Sequence, residues 1–144
     1  MEIVSPYITA GLAGWIISQF AKYVVASFKS GKLASMRQLY LSGNMPSAHS
    51  ATVIAVLVVI GLKDGVESGL FGLALVFASV VLYDAMMVRR SSGEQGIAIT
   101  ALITERKSTV PLPRVAIGHT PLEVAVGSLI GFFVGISVYF LATL

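Results

Sequence analysis

Residues 121–142 read PLEVAVGSLIGFFVGISVYFLA, an apolar run in which Glu123 is the one charged residue. The run is long enough to cross a bilayer as one helix, since a span needs about 20 apolar residues. Gly127, Gly131 and Gly135 recur at every fourth position and share one side of that helix. Small residues at this spacing form helix-packing surfaces in membranes. The glycine ridge therefore predicts an internal helix contact or a dimer seam.

The rest of the chain has the same apolar character. Its 144 residues are 56% hydrophobic and 12% charged, whereas a soluble domain carries about 25% charged residues. We therefore predict an all-α integral membrane helix bundle, a single domain over residues 1–144 in a bacterial cell membrane. No cysteine is present, which excludes disulfides and thiolate metal sites.

The hydrophobic pattern predicts three further spans, at about residues 6–28, 47–62 and 66–88. The second is short, because 16 residues rise only ~24 Å. Either a locally thinner bilayer or a helix that begins below the membrane surface would accommodate it. The 89–118 loop is predicted to contain an interfacial helix over about 93–105. Ser91 with Glu94, or Ser92 with Gln95, would form a capping box at its start. Two prolines predict irregular structure over 108–113.

Basic residues fix the predicted orientation. With four spans, the two long loops lie on one side of the membrane, and the opposite side has Lys63 alone. The positive-inside rule places both long loops in the cytoplasm. The two histidines of the chain each stand at a helix start on that side. The basic residues of the long loops are Lys29, Lys32, Arg37, Arg89, Arg90, Arg106, Lys107 and Arg114.

The first histidine motif is GHTPLE, residues 118–123. Thr120 and Glu123 match a capping box, which alone would explain the motif as a helix start. His119 and Glu123 are also four residues apart and can meet. A carboxylate on one ring nitrogen fixes the tautomer and leaves the other nitrogen as a nucleophile. From the residues alone both interpretations stay open.

The second motif is MPSAHSA, residues 45–51. Ser47 is the predicted N-cap, and His49 is either an interface residue or a functional group. Free backbone N–H groups of the first turn, such as that of Ala48, could bind phosphate oxygens, with the Ser47 hydroxyl as a further donor. His49 could protonate a leaving alkoxide.

Charged residues near the cytoplasmic helix ends are candidate phosphate ligands. Lys22 lies roughly 9 Å inside the first span, as a snorkelling side chain or as a ligand. Arg89 and Arg90 close the third span, where cations suit a helix C-terminus and could also grip phosphate. Asp84 is five and six residues from them and shares an α-helical face with neither. Its predicted partner is Lys22 or an arginine that folds back.

These pieces together resemble the divergent branch of the type 2 phosphatidic acid phosphatase superfamily, which includes the vanadium haloperoxidases. The resemblance covers nearly the whole chain, with Asp84-Ala85, Val88-Arg89-Arg90 and Gly93-Glu94-Gln95 between the two histidine motifs. The superfamily's Pro-Ser-Gly-His is similar to residues 46–49. Its His-x-x-x-Asp is similar to His119 and Glu123.

The resemblance implies that His119 is the nucleophile, that Glu123 orients it and that His49 is the general acid. Ser47 and backbone amides such as that of Ala48 would hold the phosphate. The superfamily's Lys-x6-Arg-Pro motif has no clean match here. Lys22 is the first candidate for its lysine, ahead of Lys29, Lys32 and Arg37. The third motif's arginine normally precedes the histidine by six residues, where this chain has Pro113, and Arg89 and Arg90 are predicted to bind phosphate in its place. Support for the site is predicted from Asp84, Arg37, Arg114 and Gln95.

By that likeness the protein is a metal-independent lipid phosphatase without a cofactor, acting at the cytoplasmic face through a phosphohistidine. Substrates would be a lipid phosphomonoester or pyrophosphate of the phosphatidylglycerophosphate, phosphatidate or polyprenyl class. Expected partners are the lipid phosphate and membrane lipids, with no nucleic acid, and the glycine ridge suggests a homodimer. The alternative is a non-catalytic lipid-phosphate binding or transport protein that retains the phosphate cradle.

Overall fold

The computed structural model describes residues 5–33, 45–113, 115 and 118–143. Its helices are α1 (Pro6–Ser30), α2 (Ala48–Lys63), α3 (Gly69–Tyr83), α4 (Arg89–Glu105) and α5 (Pro121–Thr143). A π-helical segment, Asp84–Val88, joins α3 to α4 and is called the π turn below. Gly69–Glu105 is therefore one continuous helix of 37 residues.

The helices form a membrane bundle, as predicted. Pro6–Ser30, Gly69–Glu105 and Pro121–Thr143 are long and apolar enough to cross a bilayer, and α2 is a shorter apolar helix. Only 11% of the most apolar window of Gly69–Glu105 is buried. Leu73, Phe77 and Val80 point outward there. Such a surface suits lipid, because hydrocarbon solvates apolar side chains that water would not.

The short helix α2 lies at the centre and packs against α1, α3 and α5. The glycine ridge of α5 forms the closest of these contacts, because its backbone touches the backbone of α2 and its N-cap. At Gly135 an added Cβ would lie 2.7 Å from the carbonyl oxygen of Ala55. The ridge therefore serves an internal contact, and a homodimer would need another surface. The facing pairs are Gly127 with Ser47, Gly131 with Ala51, and Gly135 with Ala55.

Helix α1 presents small residues to the bundle at every fourth position. Ala10, Gly14 and Ser18 are buried, and the next residue in this series is Lys22. At Gly14 an added Cβ would lie 2.9 Å from the carbonyl oxygen of Ala51, so α1 also approaches α2 closely. The same face that packs the helix thus carries Lys22 into the interior, at the end where α2 begins.

A helix is present where the interfacial helix was predicted, but it begins at Arg89 as a continuation of α3 and not at about Gly93. Its position at the membrane interface stays a prediction. Ser91 lies inside the continuous helix, where its Oγ accepts a hydrogen bond of 3.2 Å from Nε2 of Gln95. Glu94 pairs with Nε of Arg90 at 3.2 Å instead of reaching back to a cap. These i, i+4 pairs stabilise an uninterrupted helix. Residues 108–113 have neither helix nor strand, as predicted.

Candidate active site

The start of α5 holds His119 by a local network. The N–H of Glu123 donates to Oγ1 of Thr120 at 3.3 Å, and the N–H of Thr120 donates to Oε2 of Glu123 at 3.0 Å. The predicted capping box is thus confirmed. The same Oε2 lies 3.2 Å from Nδ1 of His119. Because a carboxylate accepts, Nδ1 carries the proton, and Nε2 keeps its lone pair for chemistry.

The π turn anchors the backbone of His119. In this turn the N–H of Arg89 donates to the carbonyl oxygen of Asp84, five residues back. In an α-helix that N–H would have bonded the carbonyl of Ala85. The freed Ala85 oxygen accepts a 3.0 Å hydrogen bond from the N–H of His119. The π turn therefore supplies a backbone acceptor that fixes the position of His119.

Gly118 allows the hydrogen bond between His119 and Ala85 to form, because it has no side chain. An added Cβ there would overlap the backbone nitrogen of Arg90 and lie 2.9 Å from the carbonyl carbon of Arg89. A larger residue would push His119 away from the π turn. Gly118 had no predicted role of its own, although its place directly before the histidine was a usable signal. The carbonyl of Ala85 left no signal in the side-chain pattern.

The start of α2 joins the start of α5. The N–H of Ser47 donates to the carbonyl oxygen of Glu123 at 3.1 Å. Ser47 is the N-cap of α2, as predicted, and its Oγ accepts from the N–H and the Oγ of Ser50 at 3.4 and 2.9 Å. Both serines are fully buried. Their hydroxyl pair holds the turn, and direct contact between Ser47 and a phosphate stays a prediction.

The two histidines are close enough to interact electrostatically, and they differ in exposure. His49, in the first turn of α2, is exposed, whereas His119 is buried with 6% of its surface accessible. The ring of His49 interacts electrostatically with His119, Lys22, Arg89 and Asp84. The site therefore has an inner imidazole and an outer one. Ala48 is buried beside His49, and its backbone amide stays a predicted phosphate ligand.

Lys22 reaches the inner part of this site. It is 5% exposed and interacts electrostatically with Glu123 and His119. Among the residues that the structure describes, Lys22 makes neither a hydrogen bond nor an ion pair. A buried cation without a bonded partner is costly, and a bound anion would offset that cost.

The two arginines differ in their surroundings. Arg89 interacts electrostatically with both rings, and its Nε donates to Oδ2 of Asp84 at 2.6 Å. Arg90 is instead paired with Glu94, and both of those side chains are largely exposed. Phosphate binding by Arg90 and support by Gln95 stay predictions. Arg37 and Arg114 lie outside the described residues.

The partner of Asp84 differs in part from the sequence-based expectation. Asp84 pairs with Arg89, an arginine, but the side chain does not need to fold back. The π turn places residues five apart on one face, as the bond from the N–H of Arg89 to the carbonyl of Asp84 shows. The prediction that the two share no face assumed α-helical spacing, and that assumption is wrong at this segment.

The protonation of His119 follows from its surroundings. Burial is the largest influence on the imidazole and lowers its pKa, whereas the hydrogen bond and the charge of Glu123 raise it. The positive charges of Lys22 and Arg89 lower the pKa further. The ring is therefore neutral at physiological pH, which is the form a nucleophile requires.

Comparison with known proteins gives the chain a relationship consistent with this geometry. A family model described as "Divergent PAP2 family" matches residues 3–134, nearly the whole chain. The chain belongs to the divergent PAP2 family. The resemblance stated from the two histidine motifs is thereby confirmed, and the family is part of a phosphatase-like superfamily.

The chain also has a bacterial relative. The chain is 32% identical to the "Uncharacterized membrane protein YuiD" of Bacillus subtilis (strain 168), over 91% of this chain and 92% of the relative. The relative's name agrees with a membrane location for the family. No solved structure matches the chain.

Proposed function

We propose that this divergent PAP2 protein is a lipid phosphatase that hydrolyses a phosphomonoester or pyrophosphate through a phosphohistidine on His119. The observation that supports it most is the buried Lys22, which lacks a bonded partner among the described residues and interacts with the neutral imidazole of His119. An anion bound there would meet a cation and a nucleophile together. Phosphate esters are anions that react with such nucleophiles.

The proposed first step is an in-line attack by Nε2 of His119 on phosphorus. The N–P bond forms while the bond from phosphorus to the leaving oxygen breaks, and His49 gives its proton to that oxygen. Glu123 holds the proton on Nδ1 and stabilises the positive charge that develops on the ring.

In the second step a water molecule attacks the phosphohistidine. The neutral His49 accepts a proton from that water, the N–P bond breaks, and inorganic phosphate leaves with His119 restored. Lys22 and Arg89 neutralise charge on the equatorial oxygens during both steps. Backbone N–H groups at the start of α2 add further donors, because a helix N-terminus favours anions.

The position of the site in the bundle supports the proposed substrate class. It is formed at the ends of membrane helices whose outer surfaces suit lipid, so a substrate with acyl or prenyl tails can remain in the bilayer. Phosphatidylglycerophosphate, phosphatidate and polyprenyl (pyro)phosphate fit this description. The excess of basic residues in the two long loops favours the cytoplasmic side of the membrane.

The direct test uses purified protein in detergent with short-chain lipid phosphates and EDTA. We expect release of inorganic phosphate in the presence of the chelator, and inhibition by orthovanadate, which mimics five-coordinate phosphorus. Saturable binding of the lipid phosphate without turnover would instead assign the protein as a binding or transport protein. Turnover that vanadate does not inhibit would argue against the phosphohistidine route.

Glu123→Gln should change the pH profile as well as the rate. Burial holds the pKa of His119 below its ordinary value of about 6.5, so the acidic limb of kcat/KM in the wild type should lie below that pH. Removing the carboxylate, which raises this pKa, should move the limb further down. The maximal rate should fall about 10²–10⁴-fold, because the ring loses the group that orients it.

Glu67→Gln is the matched control, since Glu67 precedes α3 at the other end of the bundle. It should leave both the rate and the pH profile unchanged. An acidic limb that moves upward in Glu123→Gln, or a full rate with that variant, would contradict the role assigned to Glu123.

A further inference from the structure

The π turn brings Asp84 and Arg89 together at the edge of the candidate site. Their geometry suggests that Nε and the terminal nitrogens of Arg89 have different roles. Nε of Arg89 donates to Oδ2 of Asp84 at 2.6 Å. Within the described part of the chain, this is the only hydrogen bond that the Arg89 side chain makes. The two terminal guanidinium nitrogens therefore keep their N–H groups for another acceptor. Those nitrogens form the planar edge that binds two oxygens of a phosphate at once.

The surroundings of Arg89 indicate where its terminal nitrogens could bind a ligand. The guanidinium interacts electrostatically with both His49 and His119. Its side chain is 44% exposed, so a ligand can reach it. The backbone of the same turn bonds His119 through the carbonyl of Ala85 at 3.0 Å. One segment thus fixes the position of the imidazole and of the guanidinium relative to each other.

We infer that Asp84 is a positioning residue that holds Arg89 by Nε, so that the terminal nitrogens of Arg89 grip two phosphate oxygens of the substrate. Asp84 does not touch the phosphate and acts only through Arg89. This inference rests on the proposed function, because it assumes a phosphate beside His119.

A double-substitution cycle tests the inference. Arg89→Lys keeps the charge and removes the planar fork, and Asp84→Asn keeps the shape and removes the carboxylate. We expect each change to raise KM for the lipid phosphate and the inhibition constant of orthovanadate about tenfold, with a smaller effect on kcat. The double variant should be no worse than Arg89→Lys alone, since residues that act through one contact are not additive.

The control is Glu94→Gln, which breaks the exposed Arg90–Glu94 pair on the same continuous helix. Glu94→Gln should leave KM and vanadate inhibition unchanged. If the loss of any ion pair on this helix weakened binding, KM and the inhibition constant would rise in Glu94→Gln as well as in Asp84→Asn. Wild-type affinity in Asp84→Asn, or additive effects in the double variant, would overturn the positioning role.

Vanadate binding separates this inference from the proposed function. It can be followed by the shift of melting temperature that the bound ion causes, which requires no turnover. If the wild type binds vanadate but releases no phosphate, the proposed hydrolysis fails, and the same cycle measured by binding still decides the role of Asp84. If the wild type does neither, the proposed function and this inference fail together.

Discussion

His119→Ala should lower phosphate release from a lipid phosphate by at least about 10⁴-fold, because it removes the proposed attacking nitrogen. The substitution should also abolish the covalent phosphoenzyme, which is detected after a brief reaction with radiolabelled substrate and quenching in base, where phosphohistidine survives. The folded state should persist, since the hydrogen bond from residue 119 to Ala85 uses the backbone N–H.

His49→Ala is the informative comparison, because it removes the second imidazole and leaves the nucleophile. It should slow hydrolysis severely with an alkyl leaving group. The loss should be smaller with a nitrophenyl phosphate, whose leaving oxygen needs no proton. Label trapped on the protein in His119→Ala, or equal activity in both variants and the wild type, would contradict the assigned roles.

Gly131→Ala should destabilise the fold by about 2–3 kcal/mol, through a mechanism unrelated to chemistry. An added Cβ at Gly131 would overlap the backbone oxygen of Ala51 and lie 2.9 Å from its Cα. Neither group can turn aside as a side-chain tip could, so α5 and α2 must separate. The expected result is a lower melting temperature in detergent, measured by size-exclusion chromatography after heating.

Gly72→Ala provides the matched control for this experiment. Gly72 lies in α3, is exposed, and has nothing within 4 Å of an added Cβ. The same chemical change should therefore leave the melting temperature unchanged or raise it, since alanine favours helix more than glycine. An equal loss of stability at both positions would show that the close approach of α5 to α2 is not what makes Gly131 necessary.

Local features of the fold could be predicted from the sequence. The helix starts at residues 47–48 and 120–121 depend on caps within a few residues, and both agree with the structure. The apolar runs were long enough to identify the membrane helices. The glycine ridge predicted a packing surface on α5 but not its partner α2. The spacing of residues in one helix carries no information about which helix packs against it.

The arrangement around the π turn could not be predicted. Nothing between Tyr83 and Arg89 marks a change of helical period. The prediction therefore used α-helical spacing, which puts Asp84 and Arg89 on different faces of the helix. The continuation of the helix past Ser91 was also missed, because its capping pattern is identical to that of a true helix start. The contact between His119 and Ala85 uses backbone atoms, which a residue pattern does not reveal.

The π turn also affects how relatives of this chain should be compared. A turn of this kind is equivalent to one extra residue in an otherwise α-helical stretch, and each α-helical residue advances about 100° around the axis. A helical wheel drawn through Gly69–Glu105 as one regular helix would therefore misplace the faces of either α3 or α4. A gap of one position opposite residues 84–88 in an aligned sequence would mark a protein in which the arginine no longer points at the histidines.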